Sequence, residues 1–127
     1  MDINKKIVME YEELAFNKKD VKAAVEYLHD NFKQHNPQVP DGKEGFINGI
    51  GGYLLANNPN LKKEIKRIVV DGDMVAAHSF AKFNGENESE RGVAIADFYV
   101  IKDGKIAEHW DVIQEIPAET ANSNTMF

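Results

Sequence analysis

The spacing of apolar positions changes once along this chain, from helical in the first half to alternating in the second. Behind Asp2, which can cap a helix through its side chain, Ile3, Ile7, Tyr11, Leu14 and Ala15 recur at helical intervals. Asn17-Lys18-Lys19-Asp20 breaks the pattern, and Asp20 caps a second, shorter helix with Val21, Ala24, Val25 and Leu28 on one side. Phe32-Lys33-Gln34-His35-Asn36 reads as a short extended piece, closed by Pro37 and Pro40, which disfavour helix in the residues before them. Asp41-Gly42 opens a third helix with Phe46, Ile47, Ile50, Tyr53 and Leu54 inward. Its glycines, Gly45, Gly49, Gly51 and Gly52, make it weak by propensity, so packing must hold it. Asn57-Asn58-Pro59-Asn60 ends that stretch.

From Lys62 the texture is that of strands and tight turns. Lys62 to Val70 alternates, with a slip between Ile65 and the pair Ile68 and Val70. Asp71-Gly72-Asp73, Asn84-Gly85 and Asp103-Gly104 mark turns between this strand, Met74–Phe83, Gly92–Ile101 and Lys105–Ile113. Three helices followed by four hairpin-linked strands predict an α+β fold, with the helices packed on a strongly curved antiparallel sheet. The length leaves room for one domain, residues 1–127, with 117–127 as a loosely held or draped tail.

Period-two geometry sorts each strand by face. His78 shares a row with Met74, Ala76 and Phe80; Asp97 with Val93, Ile95, Tyr99 and Ile101; Asp111 with Ala107, His109 and Ile113. Each strand thus sets an ionisable group in an apolar row. The opposite rows (Ala94, Ala96, Phe98; Ile106, Trp110, Val112) are also apolar, which predicts helices on one sheet face and a partner subunit on the other. A carboxylate in apolar surroundings is costly unless paired or neutral, and a carboxyl poised this way can abstract a proton next to a carbonyl. Asp111 is the leading candidate, with His35, Asn36 or His78 to steady the charge that develops on the oxygen. The plain alternatives are a local hydrogen-bonding role for Asp97, an Asp111 tied to backbone, Arg67 or Arg91, and satisfied partners for His78 and His109. For Trp110 the choice lies between packing and a pocket wall or dimer contact, and His29, read as helical, is expected to be exposed. His35, His78 and His109 with Asp97 or Asp111 could form a metal cluster, but no close ligand spacing supports one.

Charge and composition narrow the partners. A net charge of −6, with lysines interleaved among acids, argues against nucleic acid or an anionic membrane and makes each lysine pair a solvated face. The chain has no cysteine, which removes thiolate metal sites and thiol nucleophiles and fits a cytoplasmic setting. No leader-like or membrane-length apolar run is present in the sequence.

Two blocks carry a resemblance. Tyr99-Val100-Ile101-Lys102-Asp103-Gly104-Lys105-Ile106-Ala107-Glu108-His109-Trp110-Asp111 resembles the final hairpin of SnoaL-like proteins, with its D-G-K turn and E-H-W-D run. His35-Asn36-Pro37, followed by Asp41-Gly42-Lys43-Glu44-Gly45-Phe46, is similar to the segment that joins the second and third helices of that family. The resemblance implies the cone-shaped nuclear-transport-factor-2-like fold and dimers packed through the sheets. It also implies polyketide cyclase-type aldol chemistry without metal or organic cofactor, with Asp111 at the acid/base position. His35 and His78 are then further catalytic candidates, and Asn36, Asp97, His109, Trp110, Tyr53 and Phe80 substrate-binding ones. Two functions stay open: a cofactor-free enzyme acting on a small apolar carbonyl compound, and a non-catalytic small-molecule binding module using the same pocket. An Asp111 that lines an open pocket without an Arg or Lys partner favours the first.

Overall fold

The computed structural model describes residues 1–127. Helix α1 (Ile3–Glu12) starts where Asp2 accepts the Asn4 backbone N–H at 2.8 Å, and it widens into a π-helical turn over Glu13–Asn17. Asp20 accepts from the Ala23 N–H and opens α2 (Val21–Val25). Asp41 caps α3 (Gly42–Gly45), which runs on as a π-helix over Phe46–Leu55. All three caps satisfy backbone donors that a helix start leaves free.

The sheet has five strands, not four: β1 (Leu28–Gln34), β2 (Lys62–Asp71), β3 (Met74–Lys82), β4 (Val93–Lys102) and β5 (Lys105–Glu115), in the order β1-β5-β4-β3-β2. It is also mixed rather than purely antiparallel, because β1 runs parallel to β5. The segment expected as a short extended piece near Phe32 therefore begins earlier. Leu28 and His29 belong to β1 and not to a helix, and His29 Nε2 lies 3.5 Å from Asp103 rather than free in solvent. The slip in the alternation of β2 is a bulge between Ile65 and Arg67, which reverses which residues face inward.

The helices cover the concave face. Val8 and Tyr11 of α1, Ala15 of the π-helical turn that follows it, Leu28 and Phe32 of β1, and Phe46 and Ile50 of the third helix pack with Val75, Tyr99 and Ile106 into one core cluster. The Asn36–Pro40 loop is pressed against the third helix. A Cβ at Gly45 would lie 1.8 Å from the Pro40 carbonyl oxygen, and one at Gly49 2.8 Å from Pro40 Cδ. Those two glycines let the loop carrying Asn36 seat where it does. Gly45→Ala is expected to lose about 1–3 kcal/mol from overpacking, read by urea unfolding, with Gly52→Ala, which meets nothing closer than 3.7 Å, as the tolerated control.

Candidate active site

Between the concave face and the helices lies a cavity of about 270 Å³. Its walls are mostly apolar: Phe16, Ile50, Leu54, Leu61, Ile95 and Ile113 are among them, with Tyr53 at the mouth. Polar side chains enter from β1 and its loop (Gln34, Asn36), β2 (Lys63), β4 (Asp97) and β5 (His109, Asp111). The sheet register makes this convergence. Asp97 pairs with Asp111 across β4 and β5, Tyr99 with His109, and Gln34 with His109 across β1 and β5.

Asp111 is nearly buried, and its partner is a neutral amide. Asn36 Nδ2 donates to Oδ1 at 2.9 Å and to Oδ2 at 3.0 Å. The amide is oriented by its own oxygen, which accepts the Gln38 backbone N–H at 2.9 Å, so the NH₂ must face the carboxylate. No Arg or Lys pairs with Asp111, and His109 Nε2 lies 3.8 Å away, beyond hydrogen-bond reach.

Behind Asp111 a line of alternating charges runs through the interior. His109 Nε2 meets Asp97 Oδ1 at 2.7 Å, Asp97 Oδ2 accepts from Lys63 Nζ at 2.7 Å, and Lys63 Nζ lies 2.8 Å from Glu12 Oε1. Glu12 Oε2 accepts from the Tyr99 hydroxyl. The other nitrogen of His109, Nδ1, faces Gln34 Oε1 at 2.8 Å, and that oxygen also accepts the Asn36 backbone N–H. Both ring nitrogens thus face oxygens, of Asp97 and of Gln34, which hold the ring in place between them. Burial alone would push Asp97 up, but Lys63 and His109 outweigh it and hold the carboxyl below its usual range. Glu12 goes the other way: burial raises it, and Lys63 and Tyr99 oppose that only in part. Burial also acts against the charge on Lys63, yet Asp97 and Glu12 prevail and raise its pKa.

Of the residues singled out in the sequence, Asn36, Tyr53, Asp97, His109 and Asp111 line the cavity. His35, His78, Phe80 and Trp110 do not. His35 leaves the end of β1 on the outer side, where it stacks on Trp110 at 4.5 Å and meets Glu108 at 2.9 Å. His78 and Phe80 lie on the outer sheet face, where Phe127 of the tail covers them at 5.4 and 5.2 Å between ring centroids. The row of β3 that faces the helices is Val75, Ala77, Ser79 and Ala81, buried at every position. Alternation groups residues by face but does not say which face meets the helices. The histidine metal cluster is therefore dispersed. The donor set that does gather is Asp97, His109 and Asp111, with atoms within 4.8 Å of one another, and a metal ion there would have to displace the His109–Asp97 pair.

Lys63 and Glu12 are site residues that the sequence reading passed over. Lys63, taken with Lys62 as a solvated pair, is only 8% exposed. Its parity with Ile65, ahead of the bulge, marks it as inward-facing. Glu12 stands four residues after Val8 and three before Ala15, on the buried stripe of α1, and is 3% exposed.

Three helices over a curved, unclosed mixed sheet of five strands give the nuclear-transport-factor-2-like fold. The family model of the SnoaL-like polyketide cyclases matches residues 5–122, and the chain belongs to that family. Among solved structures it is similar to TsrD from Streptomyces laurentii, at 28% identity, a TM-score of 0.69, and coverage of 89% of this chain and 90% of that one. A protein from Bacillus cereus ATCC 10987 assigned as a polyketide cyclase shares the fold at 23% identity and a TM-score of 0.72, over 87% of this chain and 74% of that one. So does an NTF2-like protein of unknown function from Cytophaga hutchinsonii, at 20% identity and a TM-score of 0.70, over 87% and 89%. No curated protein matches the chain. No helix is long and apolar enough to cross a membrane.

Proposed function

We propose that this protein is a cofactor-free acid/base enzyme acting on a small, largely apolar carbonyl compound, with Asp111 as the group that takes and returns a proton. The observation that carries this reading is that Asp111 lines an apolar cavity bonded to the neutral Asn36 amide and to no Arg or Lys. A carboxylate fully used in an ion pair would lack the capacity to accept a proton; this one keeps it. In the proposed step, a carboxylate oxygen of Asp111 takes the proton from carbon α to the carbonyl. The C–H pair becomes the C=C bond, and the carbonyl π electrons move to oxygen. Where the substrate carries a β,γ double bond, the resulting dienolate takes the proton back from Asp111 at the γ carbon, giving isomerisation; otherwise the enolate attacks a second carbonyl, whose new alkoxide receives the proton from Asp111, giving an aldol ring closure. Family membership supports chemistry of the cyclase type.

The test needs no natural substrate. Acetophenone and other small aryl or cyclic ketones, incubated with the protein in D₂O, should exchange their α-protons faster than in buffer, read by proton NMR. Exchange no faster with wild-type protein than with Asp111→Asn across the panel would leave the binding module as the better reading.

The proposal extends to a homodimer through the outer sheet face, where Phe98 and Trp110 are cross-strand neighbours and Met74, Phe98 and Val112 stay exposed. Size-exclusion chromatography with light scattering should give twice the 14.3 kDa chain mass, and a monomer at micromolar concentration would count against it.

A further inference from the structure

Residues 117–127 take no part in the cavity, yet their far end rests on the outer sheet face, the face proposed for a second copy. The last backbone tie to the body is at Ile116, whose N–H donates to the Gly92 carbonyl at 3.1 Å. Beyond it, residues 117–125 are all exposed. The segment hydrogen-bonds only within itself: Thr120 to the Asn122 carbonyl, Asn124 to the Asn122 side chain, and Thr125 with Phe127 in both directions. What holds it down is a ring at its far end.

Phe127 is half-buried in a slot with three walls. Its ring centroid lies 5.4 Å from that of His78, tilted by 31°, and 5.2 Å from that of Phe80, close to edge-on at 60°. The Lys66 ammonium closes the third side, 5.8 Å from the Phe127 centroid and 5.9 Å from that of Phe80, and Glu64 steadies it at 3.1 Å. These aromatic and cation–π contacts attract, but each is modest at an exposed site. Against them stands the entropy of a slack segment, since residues 117–127 bridge only about 10 Å, two strand spacings from β5 to β3. A latch of this kind opens without breaking any backbone hydrogen bond of the sheet.

The slot adjoins the flattest part of the outer face. The cross-strand neighbours of His78 and Phe80 on β4 are Ala96 and Ala94, and Ala76 stands next along β3, opposite Phe98. Small side chains let a second sheet approach closely, and sheets packed face to face lie about 10 Å apart. A ring and its strap resting there fill the space that a second sheet would take. We propose that Phe127 is an intramolecular stopper: seated on His78 and Phe80, it closes the β3–β4 part of the outer face, and a second copy of the chain joins only when the segment lifts. This rests on the homodimer reading and goes beyond it, because the strength of the dimer becomes a property of residues 117–127 and not of the sheet alone.

Sedimentation velocity from nanomolar to high micromolar concentration, on wild-type protein, Phe127→Ala and a chain ending at Ile116, tests this. Both variants should dimerise about 10- to 100-fold more tightly than wild type. Each of the two chains must open before joining, and an open fraction of about one-tenth to one-third enters once per chain. Adding Val112→Glu to Phe127→Ala should cancel the gain, because that exposed position is the cross-strand neighbour of Ala96 and a charge there opposes a second sheet. A wild-type dimer that neither variant tightens, or that either one weakens, would overturn the stopper and leave the dimer standing. Tighter variants that ignore Val112→Glu would overturn it as well, since their contact would lie elsewhere. Monomers throughout would sink the stopper and the homodimer together.

Discussion

Lys63→Met is expected to destabilise the protein by about 3–5 kcal/mol at neutral pH, the cost of leaving buried charge without its partner. The substitution keeps the length of the stem and its packing on Phe16, so the loss isolates the charge. Asp97 and Glu12 each meet the Lys63 ammonium within 2.8 Å; without it Asp97 keeps only His109 and Glu12 only the Tyr99 hydroxyl. The dependence on pH gives the sharper signature. In the native protein Asp97 is held below its usual range, so its contribution is present above the unfolded value and is lost as pH falls through the folded one. Glu12 is raised, so its contribution is present below the unfolded value and is lost as pH rises through the folded one. Without Lys63, burial is opposed at Glu12 by the Tyr99 hydroxyl alone and at Asp97 by His109 alone, so both carboxyls should shift up. The deficit of the variant should therefore be largest near neutrality and narrow as pH falls through the carboxylate range. Urea unfolding of both proteins at several pH values checks this, and a deficit independent of pH would mean that the loss comes from packing rather than charge. Lys63→Arg should recover only part, because a planar fork does not fit the place of a compact ammonium between two carboxylates.

Asp111→Asn is expected to lower α-proton exchange by two orders of magnitude or more while leaving the fold intact. An amide of the same shape can still accept from Asn36 through its oxygen, but it cannot take a proton. The variant breaks no ion pair, because His109 bonds to Asp97 and Gln34 rather than to Asp111. Its melting temperature should be unchanged or raised, as for a site that gives up stability to keep a poised carboxylate. Thermal unfolding can be measured first. A large fall in melting temperature would assign Asp111 a structural role whatever the exchange rates showed.

These two residues mark the reach of the sequence. Asp111 stands out because a carboxylate in an apolar row conflicts with its surroundings, and local periodicity displays that conflict. Lys63 is obscured because it sits beside Lys62 and ahead of a bulge, and its partners are remote: Asp97 lies 34 residues away in sequence. His78 misleads for a related reason. Its row is apolar, as is the row of Asp97, but the two rows lie on opposite faces of the sheet, where Ala77 and not His78 is the cross-strand neighbour of Asp97.

By itself the sequence determined the three capped helices, the glycine turns, the parity of each strand, and the shared row of His109 and Asp111. All of these follow from interactions among residues close along the chain, where backbone geometry fixes which side chains share a side. Only the tertiary structure decided that β1 joins the sheet parallel to β5, bringing Gln34 to His109 and Asn36 to Asp111. It alone decided which sheet face meets the helices, and so placed His35, His78, Phe80 and Trp110 outside the cavity. It alone gathered Glu12, Lys63, Asp97 and His109 into one line of charge. Those outcomes depend on which surfaces pack together, and on buried charges finding partners over long stretches of chain, neither of which a local pattern can specify.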